Sequence, residues 1–163
     1  MFLSRPLVAR RVWTWAVAAA AAAALAGSAD SATLSRSEFS FVTAINEVRI
    51  AHGLAPLRVD YRLERAARFH SRQMLRSGAF YHGAFASRIR QTGVRAPHLG
   101  ENLAWATGRM AHARAIMRMW LASPEHREVL LSPGFRSVGV AAPTGRFGGY
   151  SHASVITADF AGG

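Results

Sequence analysis

The chain has 163 residues, half of them hydrophobic, a formal net charge of +11 and no cysteine. That length fits one domain with its own core, and the missing thiols exclude disulfides, Cys-ligated zinc and cysteine catalysis. All the positive charge is arginine, spread singly and without any nucleic-acid-binding signature, so it reads as a solvated surface that favours anionic surroundings such as wall polymers or phospholipid head groups.

Residues 1–29 read as an export signal: Arg5, Arg10 and Arg11 form a basic start, Trp13 to Leu25 an apolar run, and Gly27-Ser28-Ala29 a small-residue cleavage zone. The apolar run is shorter than the roughly 20 residues of a membrane span. Arg10-Arg11 lacks the flanking pattern of twin-arginine export, so ordinary secretion is expected. Cleavage leaves residues 30–163 as a single domain, expected to be monomeric, and removes three arginines, taking the net charge from +11 to +8.

Ser35-Arg36-Ser37-Glu38 is a capping box, and Phe41, Ile45 and Val48 continue it at helical spacing until Gly53. Leu54 to Leu57 is an extended link, after which Asp60 caps a second helix with the apolar face Leu63, Ala67, His70 and Met74, ending near Ser77-Gly78. His70 on that face is expected to be a packed, hydrogen-bonded imidazole, and His52 a partner of the first helix's C-terminal dipole. From Ala79 to Pro97 the periodicity fades into a loop carrying His82 between Tyr81 and Gly83.

Glu101 follows Gly100 in the short apolar segment Glu101-Asn102-Leu103-Ala104-Trp105, where a carboxylate is either bonded to backbone donors or raised in pKa. A third helix is expected from about Met110 through Ile116, Met117 and Trp120 to Ser123-Pro124, with His112 solvated. His126 falls in the next turn or short helix. Beyond Ser132-Pro133-Gly134 the period changes to two: Val138 and Val140 mark one strand, Ser154 to Phe160 a second, and Pro143 to Gly149 a connecting turn, with His152 on the surface. The pattern predicts an α+β fold in which these two strands, with the Leu103 segment as a candidate third, make an antiparallel sheet flanked by helices.

No P-loop, dinucleotide glycine motif, GxSxG elbow or HExxH is present, which removes the common phosphate, nicotinamide, serine-hydrolase and metalloprotease readings. His82, Glu101 and His126 remain as three separated side chains able to ligate a metal or move a proton.

In order, Asn46-Glu47-Val48-Arg49, Phe80-Tyr81-His82, Gly100-Glu101-Asn102-Leu103-Ala104, Trp120 to Arg127 and Asp159-Phe160 resemble the short bacterial members of the CAP (SCP-like) superfamily, the group that includes cysteine-rich secretory proteins, antigen 5 and pathogenesis-related 1 proteins. The resemblance implies a three-layer α-β-α sandwich around a central antiparallel sheet, with a large cleft holding two histidines and acidic residues. Carried over by position, these are His82, His126 and Glu101; the second acid of the eukaryotic pattern falls on Ser123, with Glu125 and Glu128 close by. Two neutral imidazoles, His82 and His126, beside one carboxylate suit zinc with an open position for water.

Three functions follow as expectations. One is a secreted, non-catalytic module binding a lipid or cell-wall-derived ligand, as lipid and sterol binding in the family implies. Another is a cell-wall hydrolase with Glu101 as general acid beside His82 and His126. A third is a host-facing or signalling protein with a vestigial cleft.

Overall fold

Capping chemistry sets the first two helices. The computed structural model describes residues 34–163, and the expected leader lies outside them. Helix α1 (Arg36–Ala51) opens on the reciprocal capping box, in which the Ser35 side chain accepts from the Glu38 N–H and the Glu38 carboxylate accepts from the Ser35 N–H. It closes on His52, whose Nδ1 lies 2.8 Å from the Val48 carbonyl. After the two-residue strand β1 (Arg58–Val59), Asp60 caps α2 (Tyr61–Ser77), which ends on Gly78 in the left-handed conformation (φ 71°).

Four parts of the expected element list change. The stretch read as loop from 79 to 97 contains a short helix, α3 (Phe85–Gln91), which buries Ile89 and is too brief to show a period. The segment around Glu101 is a ten-residue strand, β2 (His98–Thr107). Met110 belongs to a single 3-10 turn (Gly108–Ala111), so α4 (Ala113–Ala122) starts later than expected. His126 lies on the short helix α5 (Pro124–Leu130), which begins with Pro124 in its first turn. After β3 (Phe135–Ala141), the segment expected as a plain turn contains β4 (Thr144–Phe147), paired with the long last strand β5 (Tyr150–Gly162).

The sheet runs β1-β3-β5-β2, with β4 alongside β5; only the short β1–β3 pairing is parallel. Helices α1, α4 and α5 cover one face, closing a core of Phe41, Ile45, Ile116, Trp120 and Leu130 over Ala104, Val138, Ile156, Ala158 and Phe160. Helices α2 and α3 cover the other, where Leu63, Ala66, Ile89 and Ala161 form one cluster and Met74, Leu103, Phe147 and Val155 another. This is the three-layer α-β-α sandwich.

Strand alternation explains the division. Residues 101, 103 and 105 of β2 and 159, 157 and 155 of β5 share one face, and the residues between them share the other. At Gly139 the helix α2 rests directly on β3: a Cβ there would sit 2.0 Å from the Glu64 nitrogen. Among the described residues no helix is long and apolar enough to cross a membrane.

Candidate functional site

The site forms where β2 leaves the sheet with one edge free. Glu101 projects toward α3 and its neighbour Asn102 toward α5, so consecutive residues of one strand hold the two histidine-bearing segments. Asn102 donates from Nδ2 to the His126 carbonyl (2.9 Å), and Trp120 of α4 donates from its indole N–H to the Leu103 carbonyl (3.0 Å). These bonds fasten the α4–α5 layer along the strand edge.

His82 sits on the link between α2 and α3. The link is clamped from below by His70, whose Nε2 is 2.7 Å from the Tyr81 carbonyl and whose ring meets the Tyr81 ring edge-on at 5.3 Å. Because a carbonyl only accepts, Nε2 of His70 carries the proton. His70 is buried, as its place on the apolar face of α2 predicts. Gly83 follows at φ 61°, a conformation that favours glycine, with the Tyr81 ring 3.2 Å from where a Cβ would sit.

His82 is half exposed, while the Glu101 side chain is only 1% exposed, and His82 Nδ1 lies 2.8 Å from Glu101 Oε1. The second oxygen of Glu101 accepts from the Arg88 guanidinium of α3. Arg88 also donates to the His82 carbonyl at 3.3 Å. Both oxygens of Glu101 are therefore taken, and His82 Nε2 is the outward-facing end of the arrangement.

Behind Glu101 stands Asp159, its direct cross-strand partner in β5. Asp159 is fully buried, and neither of its oxygens has a conventional donor; Arg88 lies 3.8 Å away. Two carboxyl groups facing each other in an apolar layer cannot both ionise cheaply, so the pair retains a proton. Burial is the main cause of the raised Glu101 pKa, pushed up to about 7 against the opposing charge of Arg88. Burial and the Glu101 charge raise Asp159 well above the usual carboxylate range.

His126 approaches from the other layer. Its Nδ1 is 2.8 Å from the Ser123 hydroxyl. Ser123 precedes α5 in the N-cap position but does not cap it; the hydroxyl engages His126 instead. Burial lowers the pKa of both His82 and His126, assisted by Arg88 at His82 and by His82 at His126. The two imidazoles are thus neutral at physiological pH, and His82 is near enough to disfavour protonation of His126.

The structure brings together His82 and Glu101 by direct contact and sets His126 within electrostatic reach. Sequence reasoning missed Arg88, which lies on the unexpected helix α3. It also gave no role to Asp159, although one acid in the apolar run Val155 to Phe160 is the signal of a buried charge that needs a reason. Ser123, at the position of the second acid of the eukaryotic pattern, orients His126, and Asp159 supplies a second carboxyl from a different strand. Glu125 and Glu128 are exposed on α5.

The donor set does not fit zinc as it stands. Glu101 is occupied by His82 and Arg88, and among the described residues no three His, Cys, Asp or Glu side chains group to hold a metal ion. Two imidazole nitrogens fall short of the three protein ligands of a catalytic zinc site.

Residues 42–160 match the model of the cysteine-rich secretory protein (CAP) family. The chain belongs to the CAP family. Its CAP domain is 29% identical over 114 residues to YkwD of Bacillus subtilis, covering 67% of this chain and 43% of that protein. In structure it resembles an extracellular protein of Bacillus anthracis containing an SCP domain, with TM-score 0.64, 26% identity and coverage of 78% of this chain and 40% of the other. An outer surface protein of Borrelia burgdorferi shares the fold at TM-score 0.64 and 20% identity, over 74% of this chain and 88% of that one. The CAP domain thus spans less than half the length of YkwD and of the Bacillus anthracis protein.

Two hollows adjoin the histidine-bearing segments of this CAP domain. One, of about 240 Å³, lies between α2 and α3 and is lined by His70, Gln73, Tyr81 and Arg88. The other is a groove of about 670 Å³ along α5, walled by Leu99, Val129, Leu131, Pro133 and Phe135, with Arg127 and Glu128 among its lining residues.

Proposed function

We propose that this CAP domain is an exported module that binds an amphiphilic ligand, a lipid or a lipid-like component of the cell envelope, without breaking a bond in it. The observation that carries this reading is the groove along α5: its walls are largely aliphatic or aromatic, its volume suits a hydrocarbon chain, and exposed Arg127 offers a cation to an anionic head group. Gly100 helps shape it, since a Cβ there would meet the Phe135 ring at 2.6 Å. The basic surface favours an anionic envelope. His126 lies on the same short helix as the groove's Arg127 and Glu128, whereas Glu101 projects to the opposite face of β2.

Titration of the protein with a long-chain fatty acid, followed by calorimetry, tests this. Saturable binding that weakens about tenfold in Arg127→Glu, a change at an exposed position, is the expected result. No binding, or binding indifferent to that substitution, refutes the reading.

One geometric feature favours a second reading, hydrolysis. Glu101 fixes the His82 ring through Nδ1 as an orienting carboxylate does for a general base, leaving Nε2 free to take a proton from water. In that case Glu101 acts through His82 and does not itself protonate a leaving group. Release of soluble fragments from purified cell walls, abolished in His82→Ala, would replace the binding reading with this one.

A further inference from the structure

Helix α2 ends at Gly78, but the sheet face beneath it continues, and the residues that cover this extension are aromatic. Phe80 meets Phe147 (ring centres 6.3 Å), Phe147 meets Trp105 (5.5 Å), and Trp105 meets Tyr150 across a tilt of 44° (6.2 Å). Phe147 is the buried root of the row, packed with Met74 and Leu103. The other three are exposed: Phe80 by 45%, Trp105 by 36% and Tyr150 by 54%.

The backbone is adapted to this row. The turn Gly148-Gly149 takes positive φ at both residues, and a Cβ on Gly148 would sit 2.8 Å from the Trp105 ring. The turn therefore lies flat against the indole and brings Tyr150 to it. Aliphatic side chains would seal the Met74–Leu103 cluster at least as well as large exposed rings, so core closure does not explain the choice of residues.

We infer that Trp105, Tyr150 and Phe80 form a stacking platform for a glycan of β-linked pyranose rings, at a site distinct from the groove along α5. A β-linked pyranose presents C–H groups on its flat face and hydroxyls around its rim. The C–H groups meet the negative face of an aromatic ring, and the hydroxyls need polar partners beside it. The turn beside the rings supplies such partners: Ser151 Oγ pairs with His152 Nδ1 at 3.0 Å, immediately after Tyr150 in the chain. A hydrocarbon ligand would instead want a continuous apolar surface. Rigid rings also bind at a low cost in side-chain entropy.

The test is calorimetric titration with a β-1,4-linked N-acetylglucosamine tetramer, together with retention on insoluble peptidoglycan. Wild-type protein is expected to bind both, Trp105→Ala and Tyr150→Ala to weaken binding about tenfold or more, and Tyr150→Phe to keep most of it. Fatty-acid binding should be unchanged in Tyr150→Ala, so this inference and the groove reading fail separately. Tyr150 lies on the surface, so its alanine variant decides the matter even if Trp105→Ala folds poorly. The inference is overturned if wild type binds neither glycan, if both alanine variants bind as wild type does, or if an oligonucleotide of mixed sequence binds in place of the tetramer.

Discussion

The two faces of one sheet do different work here, and the difference is set by alternate residues of the same two strands. On the α1/α4/α5 face, β2 and β5 present Ala104, Ile156, Ala158 and Phe160 to a core with Trp120 at its centre. On the α2/α3 face they present Glu101, Thr157 and Asp159, and the facing helices answer with Ser71, whose hydroxyl is 2.8 Å from that of Thr157, and with His70 and Arg88. Burying polar groups costs stability unless each is partnered, and Asp159 is not conventionally partnered. The first face therefore supplies the stability that the second draws on, and the buried carboxyl pair is confined to the second.

The largest expected effect is on the apolar face. Trp120 is fully buried and its indole N–H holds the edge carbonyl of Leu103. Trp120→Ala is expected to cost about 3–5 kcal/mol, from lost burial plus an unpaired carbonyl. Urea denaturation measures it, and a loss below about 1 kcal/mol would mean that the two faces are not divided as described.

Asp159→Asn probes the other face, and its effect should depend on pH. Folded Glu101 and Asp159 keep protons that the unfolded chain has already released between the ordinary carboxylate range and about pH 7, so this pair loses stability as pH rises through that window. His70, His82 and His126, all lowered, act in the opposite sense: they lose stability as pH falls through the ordinary histidine range. The substitution leaves the histidines in place and removes one acid. The stability that the variant gains over wild type should be on the order of 2 kcal/mol larger at pH 8 than at pH 5. Melting temperatures across that range test this, and a difference that does not vary with pH would contradict the shared-proton arrangement.

The same division explains what was legible in the sequence. The apolar sides of the helices are written in periodicity, so α1, α2 and the body of α4 can be read from Phe41, Ile45, Leu63, Met74, Ile116 and Trp120, with capping at Ser35 and Asp60 fixing two starts. His82, Glu101 and His126 were singled out because each sits in a short distinctive motif. Arg88 and Asp159 were not, since an arginine on a seven-residue helix shows no period and one acid in a strand shows no partner until the register is known. The strand β4 was hidden for the same reason: four residues, Thr144 to Phe147, look like part of a turn until β5 pairs with them.

The smallest expected effect belongs to the seam between the faces, where His82 from one layer and His126 from the other come within electrostatic reach. A zinc ion there would find two neutral nitrogens and no third protein ligand, because Glu101 is held by Arg88 and His82 and Ser123 is held by His126. Binding of that kind stabilises by only about 0.4 kcal/mol when zinc is present at its own dissociation constant, a barely measurable rise in melting temperature. Zinc titration by calorimetry should accordingly show no tight one-to-one phase. A tight phase that vanishes in both His82→Ala and His126→Ala would mean that Glu101 can leave Arg88 to complete a metal centre, and the carboxyl pair with Asp159 would then have to ionise to release it.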